Sequence, residues 1–182
     1  MPLLAGISAE NLVFLDESGV STDMTRHYGR SPRGERVFGS VPQGHWKTFT
    51  LLAGVRLRGP LAPLIIDGPL DGPMFLEWTR RFLVPELHAG NVVILDNLRT
   101  HAVAGFKEMV NAVGAQVRYL PPYSPDLNPI ENMWSKVKAF FRSMEARTYE
   151  ALLDAMAKAL RSITEEDCMG FFGHSGYVYT VT

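Results

Sequence analysis

Three carboxylates stand at positions of this 182-residue sequence from which they could bind metal ions together. Asp16 and Asp96 each follow a four-residue apolar run, Leu12–Leu15 and Val92–Leu95, and such runs are typical of strands buried on both faces. Each strand is therefore expected to deliver a carboxylate at its end, because the buried middle of a strand does not accommodate an unpaired charge. Glu131 stands at the start of a predicted helix.

If the two strands are neighbours in one sheet, all three carboxylates can meet in one cleft. Three negative charges at short range repel one another strongly, so the cleft needs a cation. Carboxylate oxygens are hard ligands that favour Mg²⁺ or Mn²⁺ over zinc or copper. Two such ions, about 3.5 to 4 Å apart, can activate an attacking oxygen and stabilise the leaving oxygen of a phosphodiester. The sequence also lacks the usual nucleophile motifs.

Glu131 has an ordinary structural interpretation as well. Four prolines between residues 121 and 129 stiffen the preceding segment and aim one helix. With Asn128 as N-cap and Pro129 at the first helical position, Glu131 falls where a capping-box carboxylate reaches back to the N-cap N–H. This segment alone does not distinguish a capping residue from a metal ligand. The presence of Asp16 and Asp96 in the same predicted cleft favours the metal ligand.

The other patterns predict a mixed α/β order around these residues. Three successive strands at the start suggest an antiparallel meander. The helix after the proline segment has an apolar stripe and a second face with Glu131, Ser135, Lys138 and Arg142. The remaining predicted elements are strands at 46–55, 61–66 and 116–120 and helices at 71–87, 101–113 and 149–163. Residues 165–182 show no pattern that predicts an element.

The composition fits one globular domain with a sizeable core. Apolar residues make up 46% and charged residues 20% of the chain, which argues against disorder and fibrous classes. The single Cys168 permits no internal disulfide and no cysteine metal cluster. No apolar run is long enough to span a bilayer and no signal-peptide pattern begins the chain, so a soluble intracellular protein is expected.

A local basic segment stands out against the formal net charge of −1. Residues 26–36 carry four arginines and one acid. The segment is either a solvated loop or an arm that contacts phosphates, for which the forked donors of arginine are well suited.

Four ordered motifs resemble the catalytic core of mariner-like DDE transposases, and most closely their bacterial insertion-sequence branch. The motifs are Phe14–Gly19, Tyr28–Gly34, Leu95–His101 and Leu120–Glu131. Thirty-four residues separate Asp96 from Glu131, which is the spacing of this superfamily. The resemblance covers residues 12 to about 145.

This resemblance implies a ribonuclease-H-like α/β fold, a mixed five-stranded sheet with helices on both faces. It implies that Asp16, Asp96 and Glu131 are the catalytic, metal-binding triad, holding two Mg²⁺ ions with Mn²⁺ able to substitute. Asp16 would bridge both ions, and Asp96 and Glu131 would each hold one. The implied activity is cleavage of DNA at transposon ends by an activated water, followed by attack of the freed 3′-hydroxyl on target DNA.

Further residues match the neighbourhoods of these motifs. Glu17, Asn97 and His101 are expected either to position the triad and its ions or to serve as ordinary turn and helix-start residues. Within a matched motif the arginine segment reads more as an arm for DNA than as a free loop. The expected DNA contacts are Arg26, Arg30, Arg33, Arg36, Lys138 and Arg142.

The expected organisation is a single catalytic domain over residues 1–182, with a core at 12–145 and a C-terminal helix and tail at 146–182. The N-terminal helix-turn-helix region of the family is expected to be absent. Expected partners are double-stranded DNA of transposon ends and target, a second copy in a homodimer, and a separate DNA-binding protein from an upstream frame, with no membrane. The expected location is the bacterial cytoplasm, on the nucleoid. Two alternatives stay open: a non-catalytic or truncated remnant that acts as a DNA-binding or assembly module, and a host ribonuclease-H-like nuclease.

Overall fold

One mixed sheet organises the computed structural model, which describes residues 6–26, 28–96 and 103–177. Its five strands lie in the order β3-β2-β1-β4-β5. The first three form an antiparallel meander, and β4 and β5 run parallel to β1. The strands are β1 (Leu12–Ser21), β2 (Thr48–Arg56), β3 (Gly59–Asp67), β4 (Val92–Leu95) and β5 (Gln116–Tyr119).

In the part of the chain that the structure describes, five α-helices pack around the sheet. In chain order they are α1 (Gly72–Trp78), α2 (Phe106–Ala112), α3 (Pro129–Met144), α4 (Tyr149–Arg161) and α5 (Glu165–His174). Asp71 caps α1 by accepting a hydrogen bond of 2.8 Å from the Met74 N–H, as N-cap residues do. A π-helical turn, Thr79–Leu83, and a 3₁₀ turn, Val84–Glu86, extend α1 over the rest of the predicted 71–87 helix.

The strands divide their side chains between two cores, because successive residues of a strand point to opposite faces. Leu12, Phe14 and Val20 of β1 belong to the core that contains α3, α4 and α5. Val13 and Leu15 belong to the core under α1 and α2. Helices on both faces of a mixed five-stranded sheet confirm the predicted fold class.

Three features of the structure differ most from the sequence-based expectations. β1 does not end at Leu15 but continues to Ser21, so Asp16 lies within the strand. The helix predicted from residue 101 begins at Phe106, and its first two predicted residues, 101 and 102, lie outside the described residues. The segment after residue 164, for which no element was predicted, contains α5. Within the described residues, none of the helices combines the length and apolar composition that a membrane span requires.

Candidate active site

Strand register brings Asp16 and Asp96 side by side. β1 and β4 are parallel, with Leu12 opposite Val92 and Phe14 opposite Ile94. The same register continued by two residues sets Asp16 opposite Asp96, the first residue after β4. Both aspartates share the strand alternation of Phe14 and Ile94, whose side chains lie in the core that includes α3. The two carboxylates therefore lie on the α3 side of the sheet.

An Asp is tolerated within β1 because the strand is paired differently on its two edges. From Asp16 to Ser21 the strand pairs with β2, with Asp16 opposite Ala53. On the other edge, the described pairing with β4 stops at Phe14 and Ile94. Asp16 thus lies where the sheet is losing its parallel neighbour, and its side chain is 8% exposed. The end of the β1–β4 pairing leaves space beside Asp16, and the Asp16 carboxylate lines the cavity there.

The proline segment delivers Glu131 to the same place, on the first turn of α3. A 3₁₀ turn, Pro125–Leu127, precedes the helix. Asn128 occupies the N-cap position, but its side chain makes no capping bond, and its N–H donates to the Pro125 carbonyl at 3.0 Å. That N–H is therefore already used, and the capping-box interpretation of Glu131 is wrong. The Glu131 side chain is exposed rather than folded back onto the cap.

A cavity of about 350 Å³ joins the three predicted residues. Asp16 and Asp96 line its sheet side, and Glu131 and Asn128 line it from the start of α3. The rest of its wall is the proline segment from Leu120 to Pro125. Three elements far apart in sequence thus place carboxylates in one cavity, as the spacing and strand patterns predict.

The electrostatics of the cavity favour the binding of a positive charge. The pKa of Asp16 is raised from 3.8 to about 7, first because the carboxyl is buried and then because the negative charges of Glu131, Glu17 and Asp96 lie nearby. A backbone N–H of Glu17 opposes this shift weakly. A buried carboxylate surrounded by other carboxylates favours either a proton or a cation.

The chemistry of the lining residues suits a divalent cation, although their side chains do not converge closely enough to coordinate one ion directly. Across residues 6–26, 28–96 and 103–177, no three His, Cys, Asp or Glu side chains are grouped closely enough to hold an ion directly. The donor set is nevertheless all oxygen, as Mg²⁺ and Mn²⁺ require. Asn128 adds a further oxygen: its side chain is 4% exposed, and Oδ1 has no hydrogen-bond partner among the described residues. A buried amide oxygen without a partner is costly, and a hydrated cation in the cavity would supply donors.

Other predicted site residues are placed differently. Glu17 follows Asp16 in β1, so strand alternation directs its side chain to the opposite face of the sheet. Asn97 and His101 lie outside the described residues. Lys138 and Arg142 lie two and three turns beyond Glu131 on α3 and do not line the cavity.

The arginines of the predicted arm lie in the long β1–β2 connection, residues 22–47. Every residue from 28 to 41 of this arm is exposed. The arginines share that exposure with large apolar side chains: Tyr28, Val37, Phe38, Val41 and Trp46. The four arginines are Arg26, Arg30, Arg33 and Arg36.

A residue that supports the site without lining the cavity was not found from the sequence. The Tyr177 hydroxyl donates a 2.7 Å hydrogen bond to the Leu127 carbonyl, one residue before Asn128. Its ring packs on Phe14 of β1 with 5.0 Å between ring centroids, two residues before Asp16. Tyr177 therefore joins the strand that carries Asp16 to the turn that precedes Glu131. A lone tyrosine in a glycine-rich tail carries no periodic signal, so only the tertiary contacts show this link.

Comparison with known protein families shows to which family the chain belongs. Residues 11–153 match the DDE superfamily endonuclease family, which is more than half of the chain. The protein belongs to this family. The matched segment of this DDE endonuclease includes Asp16, Asp96 and Glu131 but ends before α5 and Tyr177. No curated protein sequence matches the chain.

Solved structures of Mos1 transposase share the fold. The paired-end complex with the left transposon end superposes with a TM-score of 0.71 at 12% identity, covering 91% of this chain and 52% of that chain. The Mos1 strand transfer complex gives 0.70 at 14%, covering 91% and 51%. The Mos1 catalytic domain with Raltegravir and Mg gives 0.67 at 13%, covering 91% and 78%. This chain spans about half the length of the first two, and identities this low show the ribonuclease-H-like fold alone.

Proposed function

We propose that this DDE endonuclease is the catalytic domain of a transposase, which cleaves DNA at the ends of a mobile element and joins the freed 3′-hydroxyl to target DNA. The observation that carries the proposal is the cavity lined by Asp16, Asp96 and Glu131. Family membership and the fold shared with Mos1 transposase complexes support it. The bacterial insertion-sequence branch rests on the motifs alone and is part of the proposal.

Asp16, Asp96 and Glu131 would hold two Mg²⁺ ions, or Mn²⁺ in their place. When bound, such ions supply Lewis-acid activation of the attacking oxygen and charge stabilisation of the leaving oxygen. Asp16, on β1, would contribute to holding both ions, as the resemblance to mariner-like DDE transposases implies. Asp96 and Glu131 approach from β4 and α3 and would each hold one ion. The proline segment fixes the direction from which Glu131 enters the cavity.

The substrate would be double-stranded DNA, contacted outside the cavity by the arm. Arg26, Arg30, Arg33 and Arg36 are exposed there, and arginine suits phosphate contacts. Lys138 and Arg142 on α3 would extend these contacts. Assembly on two DNA ends as a homodimer, with end recognition by a separate DNA-binding protein or domain, completes the proposal.

One observation favours a second candidate, a DNA-binding and assembly module without catalysis. The carboxylates of the described residues share a cavity but do not form a closed ion-binding group. A module of this kind would retain the arm and its arginines while having lost metal binding. Measurements of metal binding and of DNA cleavage distinguish the two candidates, because the enzyme must bind metal and cleave DNA, whereas the module needs to do neither.

The test is cleavage of a plasmid that carries the DNA flanking the gene, with the partner DNA-binding region supplied and with Mg²⁺ or Mn²⁺ as the only divalent ion. We expect the purified protein to nick it, and to join short duplexes with free 3′-hydroxyl ends to plasmid DNA. Asp96→Asn should abolish both reactions, because the amide removes one charge and one ligand from the site.

Asp154→Asn is the matched control. Asp154 is exposed on α4 beside Lys158, away from the cavity, and its substitution should leave cleavage intact. Absence of nicking and joining by the wild-type protein in both ions would contradict the proposal. Nicking that persists in Asp96→Asn would also contradict it, and cleavage that ignores the flanking DNA would favour a general nuclease.

A further inference from the structure

Tyr123 is the most exposed aromatic side chain beside the cavity. It lies in the proline segment that forms the cavity wall, and its side chain is fully exposed. Within the described residues it makes no hydrogen bond and no ring contact. A tyrosine ring left in water gives up the burial that most large aromatic residues obtain in a fold. Packing of the domain therefore does not explain its position.

The backbone holds Tyr123 in this position at a cost. Its φ is +58°, in the left-handed region that residues other than glycine rarely adopt. Pro121, Pro122 and Pro125 surround it and restrict the backbone on both sides. Strain of this kind persists where the surrounding structure fixes it, and it is concentrated at functional sites. The wall thus presents the ring at the cavity mouth from a restricted backbone position.

A flat ring beside three carboxylates has few suitable partners. Three carboxylates line the cavity, so an anionic group would need cations to enter it, whereas a neutral planar group can stack on the ring without a charge penalty. Nucleobases are planar, and aromatic side chains stack on them whatever their sequence. Inside a duplex the faces of a base are covered by its neighbours, so the ring can reach only an unpaired or terminal base.

We propose that Tyr123 stacks on an unpaired nucleobase of the DNA whose phosphodiester lies in the cavity. The inference rests on the proposed function, since it takes DNA as the occupant of the site. The proline segment would then have two roles, since it orients α3 and also positions a ring that contacts the DNA. Carboxylates on one side of the cavity would act on the phosphodiester while the ring on the other side fixes the adjacent base.

The test compares binding of two DNA duplexes, one blunt and one with a single-stranded extension, in Ca²⁺. Tyr123→Ala keeps a Cβ, and removal of a fully exposed ring leaves no internal cavity, so the variant should fold. We expect it to bind the extended duplex roughly 5- to 10-fold more weakly, the lower end of the range for one stacked base. Binding of the blunt duplex should be unchanged. Tyr123→Phe should bind as the wild type does, because stacking requires the ring and not the hydroxyl.

A fluorescent base locates the contact. With 2-aminopurine placed in turn at each unpaired position, the wild-type protein and Tyr123→Phe should change the fluorescence at one position, and Tyr123→Ala should not. Phe82→Ala is the matched control, since Phe82 is a partly exposed aromatic in the turn after α1 and does not line the cavity. It should bind both duplexes as the wild type does.

Several results would overturn the inference. Equal binding and equal fluorescence of Tyr123→Ala and the wild type would exclude stacking while leaving cleavage by the wild type, and so the proposed function, intact. Weak binding by Tyr123→Phe would assign the contact to the hydroxyl. A changed oligomeric state with unchanged DNA binding would assign the ring to a protein interface. Failure of the wild-type protein both to bind these duplexes and to cleave DNA would overturn the proposed function together with this inference.

Discussion

Strand β1 leads to two contrasting regions: the cavity around Asp16, which is built by the core, and the exposed arm that follows Ser21. At Asp16, in the middle of the strand, the side chain is buried and three elements meet around one cavity. Five residues later the strand ends at Ser21 and the chain leaves the fold as the arm, residues 22–47. Among the described residues of the arm, the contacts with the fold lie at its base, where Thr25 is buried and Arg147 donates to the Thr22 and Met24 carbonyls at 2.9 Å each.

The difference concerns what fixes the side chains in each region. The cavity is built by the core, so the positions of its carboxylates follow from register, strand alternation and the start of α3. Residues 28–41 of the arm are all exposed, and none of them belongs to either hydrophobic core. Function in the cavity therefore depends on geometry, whereas function in the arm depends on charge and on what the arm binds. Substitutions in the two regions should change different measurements.

The largest effect is expected for Asp16→Asn in the cavity. Without metal, the folded protein holds a proton on Asp16 up to about pH 7, whereas the unfolded chain loses it near 3.8. The free energy of unfolding of the metal-free protein should therefore fall as pH rises through this window, by at most about 4 kcal/mol for one group. Asp16→Asn should remove that fall and stabilise the metal-free protein at pH 8.

The same substitution should eliminate stabilisation by Mn²⁺, which binds the folded state through the carboxylates. Denaturant unfolding in EDTA from pH 4 to 8, and again with Mn²⁺ at pH 8, measures both effects. If Asp16→Asn kept the wild-type pH dependence of unfolding, or the wild-type stabilisation by Mn²⁺, the Asp16 carboxylate would not be the group that binds the proton or the ion.

A smaller and different effect is expected in the arm. The double substitution Arg30→Ala and Arg33→Ala should weaken duplex DNA binding and reduce the slope of log affinity against log salt by up to about 2, since each phosphate contact contributes roughly 0.9. Mn²⁺ affinity should not change. The charge-matched control is Arg58→Ala with Arg161→Ala, two exposed arginines outside the arm. An equal loss of DNA affinity in the control would assign the effect to net charge rather than to the arm.

The smallest effect is expected for Tyr177→Phe, which removes the bond to the Leu127 carbonyl but keeps the ring on Phe14. Its hydroxyl stays protonated at ordinary pH, because burial, and then the charge of Asp126, raise the pKa to about 12. We expect a reduced kcat for DNA cleavage and a several-fold weaker Mn²⁺ affinity well below the melting temperature. Tyr149→Phe, on α4, is the control. A lowered melting temperature with unchanged kcat and Mn²⁺ affinity would leave Tyr177 a purely structural role.

Much of this arrangement could be predicted from sequence because it depends on local patterns. The runs Leu12–Leu15 and Val92–Leu95 predict two buried strands, and their parallel pairing then brings Asp16 and Asp96 together. Apolar periodicity and the prolines predict α3 and the entry of Glu131. These signals depend on neighbouring residues and on the alternation of a strand, so they can be recognised without tertiary information.

The features that were wrong or missed depend on contacts that the apolar pattern of the sequence does not reveal. β1 extends past Asp16 because β2 continues to pair with it, which the end of the apolar run conceals. The capping box fails because the Asn128 N–H is already bonded to the Pro125 carbonyl. α5 was missed because its amphipathic pattern is weak. It is held by Cys168 and Phe172, which are buried in the core, by a Thr164–Asp167 capping box and by the 2.5 Å ion pair between Asp167 and Lys136 of α3.

The most direct test of the central claim is a calorimetric titration of Mn²⁺ into the wild-type protein and Glu131→Gln, with DNA cleavage measured on the same samples. Glu150→Gln is the matched control, because Glu150 also lies in the first turn of a helix but is remote from the cavity. Glu131→Gln should fold normally, lose cleavage and bind Mn²⁺ at least about tenfold more weakly, since loss of even an outer partner of a metal site costs that much. Wild-type Mn²⁺ affinity and retained cleavage in Glu131→Gln would contradict the account and leave Glu131 a structural residue at the start of α3.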